Sequence, residues 1–162
     1  MRILPIVALA LAAAPAEAAD LPDPRLTPGA TDPEVTEANI KESICKVSPF
    51  TWAQGHSPPA SFLESLAREQ IQQYGYQDTN IKHYQMDHLI PLSLGGHPTD
   101  PKNIWPQVLL TKWGARRKDY LEEVLHDKVC KGELGLREAQ DLFRTNWIEA
   151  YKKYIGDPDH PS

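Results

Sequence analysis

The 162-residue chain is predicted to fold as an α+β domain, mostly helical, with one short β-hairpin near its middle. Three observations predict that class. Apolar residues recur at helical spacing over residues 61–75, 111–129 and 136–154. Between the first two stretches the pattern changes to alternation, then to a proline and a glycine pair, which reads as a strand and a turn. Four Trp, six Tyr and three Phe in a chain that is 41% hydrophobic supply a packed core and exclude a disordered chain. The length suits one domain rather than two, and no internal repeat points to a solenoid or propeller.

The elements follow in order. Arg2, an apolar run over residues 3–14, Pro15 and the triplet Ala16-Glu17-Ala18 read as a signal peptide over residues 1–18. The run is about 12 residues, too short to span a bilayer. The mature chain is therefore expected to start near Ala19 or Asp20 and to be periplasmic or secreted, with no membrane part. Residues 19–44 form a Pro-rich acidic leader, extended over 19–33, with a short helix expected over 34–46 from Val35, Ile40 and Ile44. Residues 47–60 read as loop. Ser61 and Glu64 form a capping box that opens a helix, whose stripe of Leu63, Ala67, Ile71 and Tyr74 is core and which Gly75 ends.

Next, Tyr84, Met86 and His88 alternate against Gln85 and Asp87 as a short strand. Pro91 stops it, Gly95-Gly96 turns the chain, and Ile104 and Trp105 are the candidates for the return strand. A helix over 111–129 is expected to face inward with Trp113, Tyr120, Leu121, Val124, Leu125 and Val129. The last helix, over 136–154, does so with Phe143, Trp147, Ala150 and Tyr154, and residues 156–162 read as a loose tail. The folded domain spans residues 45–155. Cys45 and Cys130 are the whole cysteine inventory, an even number in an exported chain, and are expected to be joined. The lack of any C-x-x-C pair argues against a structural cysteine zinc site.

The formal net charge of −5 does not advertise a polyanion as partner. The charge is uneven, however. Residues 19–44 hold six acids against Arg25 and Lys41, whereas residues 102–131 hold seven Lys/Arg against four Asp/Glu. A nucleic-acid contact is expected in the second stretch, around Arg116, Arg117 and Lys118. The same run also reads as a solvated helix face.

Chemistry concentrates in Met86-Asp87-His88-Leu89-Ile90-Pro91-Leu92-Ser93-Leu94-Gly95-Gly96 and in Asn103-Ile104-Trp105-Pro106. A carboxylate beside an imidazole, an amide returned by the hairpin and a basic helix behind them suit a divalent cation held against a phosphodiester. This stretch resembles the HNH endonucleases, the ββα-metal nucleases, whose signature is Asp-His-x-x-Pro-Leu, a Gly-rich turn and an Asn before a helix. The longer match adds Gln70-Ile71-x-x-Tyr74-Gly75-Tyr76, Tyr84 three residues before Asp87, Gln107 and Lys118-Asp119-x-x-Glu122. It is similar to a small exported bacterial branch of that family and covers residues 45–153.

The resemblance implies a ββα-metal finger at about residues 84–130, packed with two or three further helices. It implies that His88 is the general base that deprotonates water and Asp87 the first metal ligand. Asn103 matches the middle Asn, which orients the histidine in some members and binds metal in others. The pattern's final histidine is missing, since none lies between Asn103 and Val124. Asp119 is taken as the replacement ligand, with Glu122 one turn on as another candidate, and Lys118 as a phosphate contact. An oxygen-rich set of this kind suits Mg²⁺, with Mn²⁺ as the second choice, over nickel or zinc. The expected partner is DNA, with RNA as the alternative substrate. The competing expectation is a periplasmic binding module that has lost turnover with the missing histidine. No Gly-x-Ser-x-Gly elbow, P-loop, dinucleotide fingerprint or His-Glu-x-x-His is present, which argues against the hydrolase and nucleotide-binding classes that carry those motifs.

Overall fold

The computed structural model describes residues 20–158, so the expected signal peptide and the last residues of the tail lie outside the described residues. Among the described residues there are four α-helices and one two-stranded antiparallel sheet, in keeping with the α+β class. Helices α1 (Pro49–His56) and α2 (Ala60–Gln73) precede strands β1 (Tyr84–His88) and β2 (Ile104–Val108), and helices α3 (Ala115–Lys131) and α4 (Leu136–Tyr154) follow. The core lies where α3 and α4 pack on each other and on the loop between the strands. Leu121, Leu125 and Val129 meet Phe143, Trp147, Leu94 and the fully buried Trp105. A two-stranded hairpin is marginal alone, so this packing is what holds β1 and β2 in place.

Some local expectations fail for physical reasons. Residues 34–46 form turns and a single 3-10 turn, Ile44–Lys46, instead of a helix. Polar side chains take the backbone groups a helix would use: Asn39 accepts from Thr36 N–H at 2.9 Å and donates to Glu34 C=O at 2.8 Å. Conversely, the expected loop 47–60 holds α1, which begins with Pro49 at its first position and is capped by Ser48 Oγ, accepting from Thr51 N–H at 3.1 Å. The capping box is not used. Helix α2 starts at Ala60 without a side-chain cap, and its buried face is Leu66, Ala67, Gln70 and Ile71. In α3, Tyr120 turns outward and is 50% exposed, leaving Leu121, Leu125 and Val129 as the inner row. Helix α4 spans the predicted residues but is kinked at Asn146, whose Oδ1 accepts from Ile148 and Glu149 N–H and recaps the second half.

The leader is docked. Gly29 N–H donates to Lys102 C=O, Asp32 N–H to Gly95 C=O, and Thr31 bridges Gly96, so residues 27–32 strap across the inter-strand loop. Thr27 is fully buried, with its hydroxyl 2.7 Å from Tyr74 Oη. The Cys45–Cys130 disulfide is formed and ties the 3-10 turn to the end of α3. No helix among the described residues is long and apolar enough to cross a membrane.

Candidate functional site

Asp87 and His88 end β1, paired with Trp105 and Ile104 of β2. Fifteen residues separate His88 from the return strand, and the sequence closes this loop with two devices. Gly96 sits where any Cβ would lie 1.8 Å from Ile90 O, so only glycine lets the loop fold back. Asn103 clamps its base. The buried carboxamide accepts from Ile90 N–H at 3.0 Å and donates to the carbonyls of Ile90 at 3.0 Å and His97 at 3.1 Å. Asn103 was expected among the metal ligands; its side chain is instead fully buried and committed to the backbone.

That clamp brings the Pro98 carbonyl to His88. The His88 Nε2–H donates to it at 2.9 Å, which leaves Nδ1 as the ring's basic nitrogen in the neutral form. Burial pushes the imidazole below its ordinary pKa, against the opposing pull of the Pro98 bond and the Asp87 charge, so the ring is neutral near pH 7.

Helix α3 supplies the other wall. Its residues 118, 119 and 122 fall within little more than one turn and face β1 and the loop. The Lys118 side chain, expected on the substrate side, is 1% exposed and points inward. Its Nζ lies 2.7 Å from Asp87 Oδ2, donates to the His88 carbonyl at 2.6 Å, and sits 5.1 Å from the centre of the Phe143 ring. It cannot contact a phosphate in solvent from there. Glu122 accepts from Ser93 Oγ at 2.6 Å. Burial drives its carboxyl up to about 7, a shift the Lys118 charge resists. Asp119 is raised to about 6, first by loss of solvent around the carboxyl and then by the charge of Asp87. Asp87, His88, Asp119 and Glu122 line one cleft of about 190 Å³, walled on the far side by Ala53 and Ser57 near the end of α1.

The chain matches no family model, no curated protein and no solved structure.

The remaining expected site residues divide. Arg116 is exposed, and Arg117 donates to the Lys112 carbonyl while its guanidinium lies 5.6 Å from the centre of the Trp113 ring. Both line a separate groove of about 390 Å³ with Lys112, Tyr120 and Tyr151, at the start of α3. Away from the cleft, His126 Nε2 donates to Ile44 C=O at 3.0 Å and lies 3.6 Å from Cys130 Sγ. Cys45, His126 and Cys130 place their donor atoms within 4.8 Å of one another, a trio that the C-x-x-C rule overlooks. With both sulfurs joined, the trio has no thiolate to offer a metal. Sequence reasoning also missed Ser93 and the Pro98 carbonyl. Both lie in the inter-strand loop, where no periodicity marks which groups turn inward.

Proposed function

We propose that the chain is a metal-dependent phosphodiester hydrolase of the HNH type, acting on DNA, with β1, β2 and α3 as its ββα finger. The observation that carries the reading is His88: a half-buried neutral imidazole whose Nε2–H is fixed on Pro98 C=O, beside Asp87, in the cleft that Asp119 and Glu122 line. An imidazole held in one tautomer, with a pKa below its usual value, is suited to take a proton from water near neutral pH. An exported location, with the signal peptide over residues 1–18 removed, belongs to the same proposal. The intact disulfide is compatible with it.

The donor set fits a hard divalent cation. Asp87, Asp119 and Glu122 line the cleft with no second imidazole beside them, and carboxylate oxygens completed by water favour Mg²⁺ or Mn²⁺. Asp87 and Asp119 would hold it, with Glu122 in support. When bound, the ion supplies positive charge to the scissile phosphate and to the departing oxygen. The protein's own work is separable from that. His88 Nδ1 accepts the proton of the attacking water, the Pro98 carbonyl keeps Nε2 protonated, and Asn103 keeps Pro98 in reach by closing the loop. The Asp87 carboxylate, next in the chain, stabilises the imidazolium that forms.

A second reading, a binding module without turnover, is favoured by one contact: the Lys118 ammonium already occupies Asp87. Nicking of supercoiled plasmid by the chain lacking residues 1–18, in Mg²⁺, Mn²⁺ or EDTA, separates the two. Metal-dependent nicking is expected, and His88→Ala should lower it by at least about 100-fold. Absence of nicking under every condition, or equal nicking by the variant, overturns the hydrolase reading. A single-stranded RNA substrate run in parallel decides between DNA and RNA.

A further inference from the structure

We infer that Lys118 is a built-in counter-charge for the carboxylate cleft, which positions Asp87 and holds the affinity for a divalent cation down. The inference rests on the hydrolase reading of the same cleft.

The placement is unusual for a lysine. Ala115, Lys118, Leu121 and Leu125 form the buried row of α3, so Lys118 stands where the helix would otherwise place another apolar residue. A buried ammonium is costly unless it is paired and hydrogen-bonded. Here one end of β1 provides both, the Asp87 carboxylate at 2.7 Å and the His88 carbonyl at 2.6 Å, and the Phe143 ring lies beneath. The ammonium therefore fixes the two residues the chemistry needs, one through its side chain and one through its backbone.

Charge gives the second half of the argument. When ionised, Asp87, Asp119 and Glu122 carry three negative charges, and Lys118 reduces the sum to that which one divalent ion balances. An ion entering the cleft must compete with the ammonium for Asp87 Oδ2. Removing the ammonium without shortening the side chain should therefore tighten ion binding while loosening the geometry of β1. A purely structural ion pair predicts the reverse, since its loss would disorder the donors and weaken binding.

The test is Mn²⁺ titration of the metal-free chain, read from the electron paramagnetic resonance signal of free Mn²⁺, for wild type and Lys118→Met. The variant is expected to bind Mn²⁺ about tenfold more tightly or better, because a unit charge a few ångströms away is removed. Plasmid nicking at saturating metal should fall in the same variant. Unchanged or weaker binding in a variant with wild-type circular dichroism overturns the inference. If Lys118→Met does not fold, Lys118→Gln carries the same comparison, since it removes the charge but keeps a donor for the His88 carbonyl. Wild type that neither binds Mn²⁺ nor nicks DNA would instead overturn the hydrolase reading itself.

Discussion

A carboxyl group drawn out of water keeps its proton to higher pH, and Glu122 shows what that does to stability. Its carboxyl has an ordinary value of 4.5 in the unfolded chain and about 7 in the fold, with burial as the main cause. Between those two values the unfolded chain has released the proton while the folded chain still holds it. Stability therefore falls as pH rises from about 4.5 to about 7, by up to about 3 kcal/mol if Glu122 titrates alone. Urea unfolding of the metal-free protein at pH 5 and pH 7.5 measures this. Glu122→Gln should lose most of the decline, whereas a variant as pH-sensitive as wild type would refute the assignment. The motif residues Asp87, His88 and Asn103 were legible because short motifs name residue types. Lys118 was not: a cation in a helix reads as solvent-facing until the contacts of Asp87 and the His88 carbonyl reveal which way it turns.

At the scale of elements, the inter-strand loop is the part that makes a site out of a hairpin. Asn103 holds it with three hydrogen bonds to Ile90 and His97, and none of its atoms bonds into the cleft. Asn103→Ala leaves those backbone groups buried without partners, which should cost about 3 kcal/mol or more in a thermal or urea melt. Because the side chain is a clamp, the folded variant should keep Mn²⁺ affinity within a few-fold of wild type, whereas Asp119→Asn should weaken it. Loss of metal binding in both variants would restore Asn103 to the ligand set. Helix α4 and the inner row of α3 were readable because long apolar periods survive tertiary context. Helix α1 was not, for it buries no residue fully and leaves Phe50 71% exposed, so no stripe announces it. The stretch 34–46 misled in the opposite sense, since its apolar spacing was helical while Asn39 bonded the backbone into turns.

For the whole molecule, two long-range ties, the disulfide and the leader strap, turn a set of helices and a small hairpin into one body. Cys45 and Cys130 are separated by 85 positions in sequence, and closing such a loop stabilises a fold by about 4–5 kcal/mol on the chain-entropy account. The charge distribution is the other global property, and it bears on the substrate. A net charge of −5 repels a polyanion at long range. The structure also withdraws Lys118 from the basic stretch by burying it against Asp87. What faces solvent is the groove at the start of α3, with Lys112, Arg116 and Arg117 along it. If that groove carries DNA phosphates, affinity should fall steeply with salt, by a slope of about 0.9 for each phosphate neutralised. Replacing Arg116 and Arg117 together by Ala should reduce the slope by about one to two in a fluorescence-anisotropy titration over several salt concentrations. Lys118→Met should leave the slope unaltered, because its ammonium reaches no phosphate. An Arg116→Ala, Arg117→Ala variant with the wild-type slope would move the DNA path away from α3 and onto the face where α1 walls the cleft.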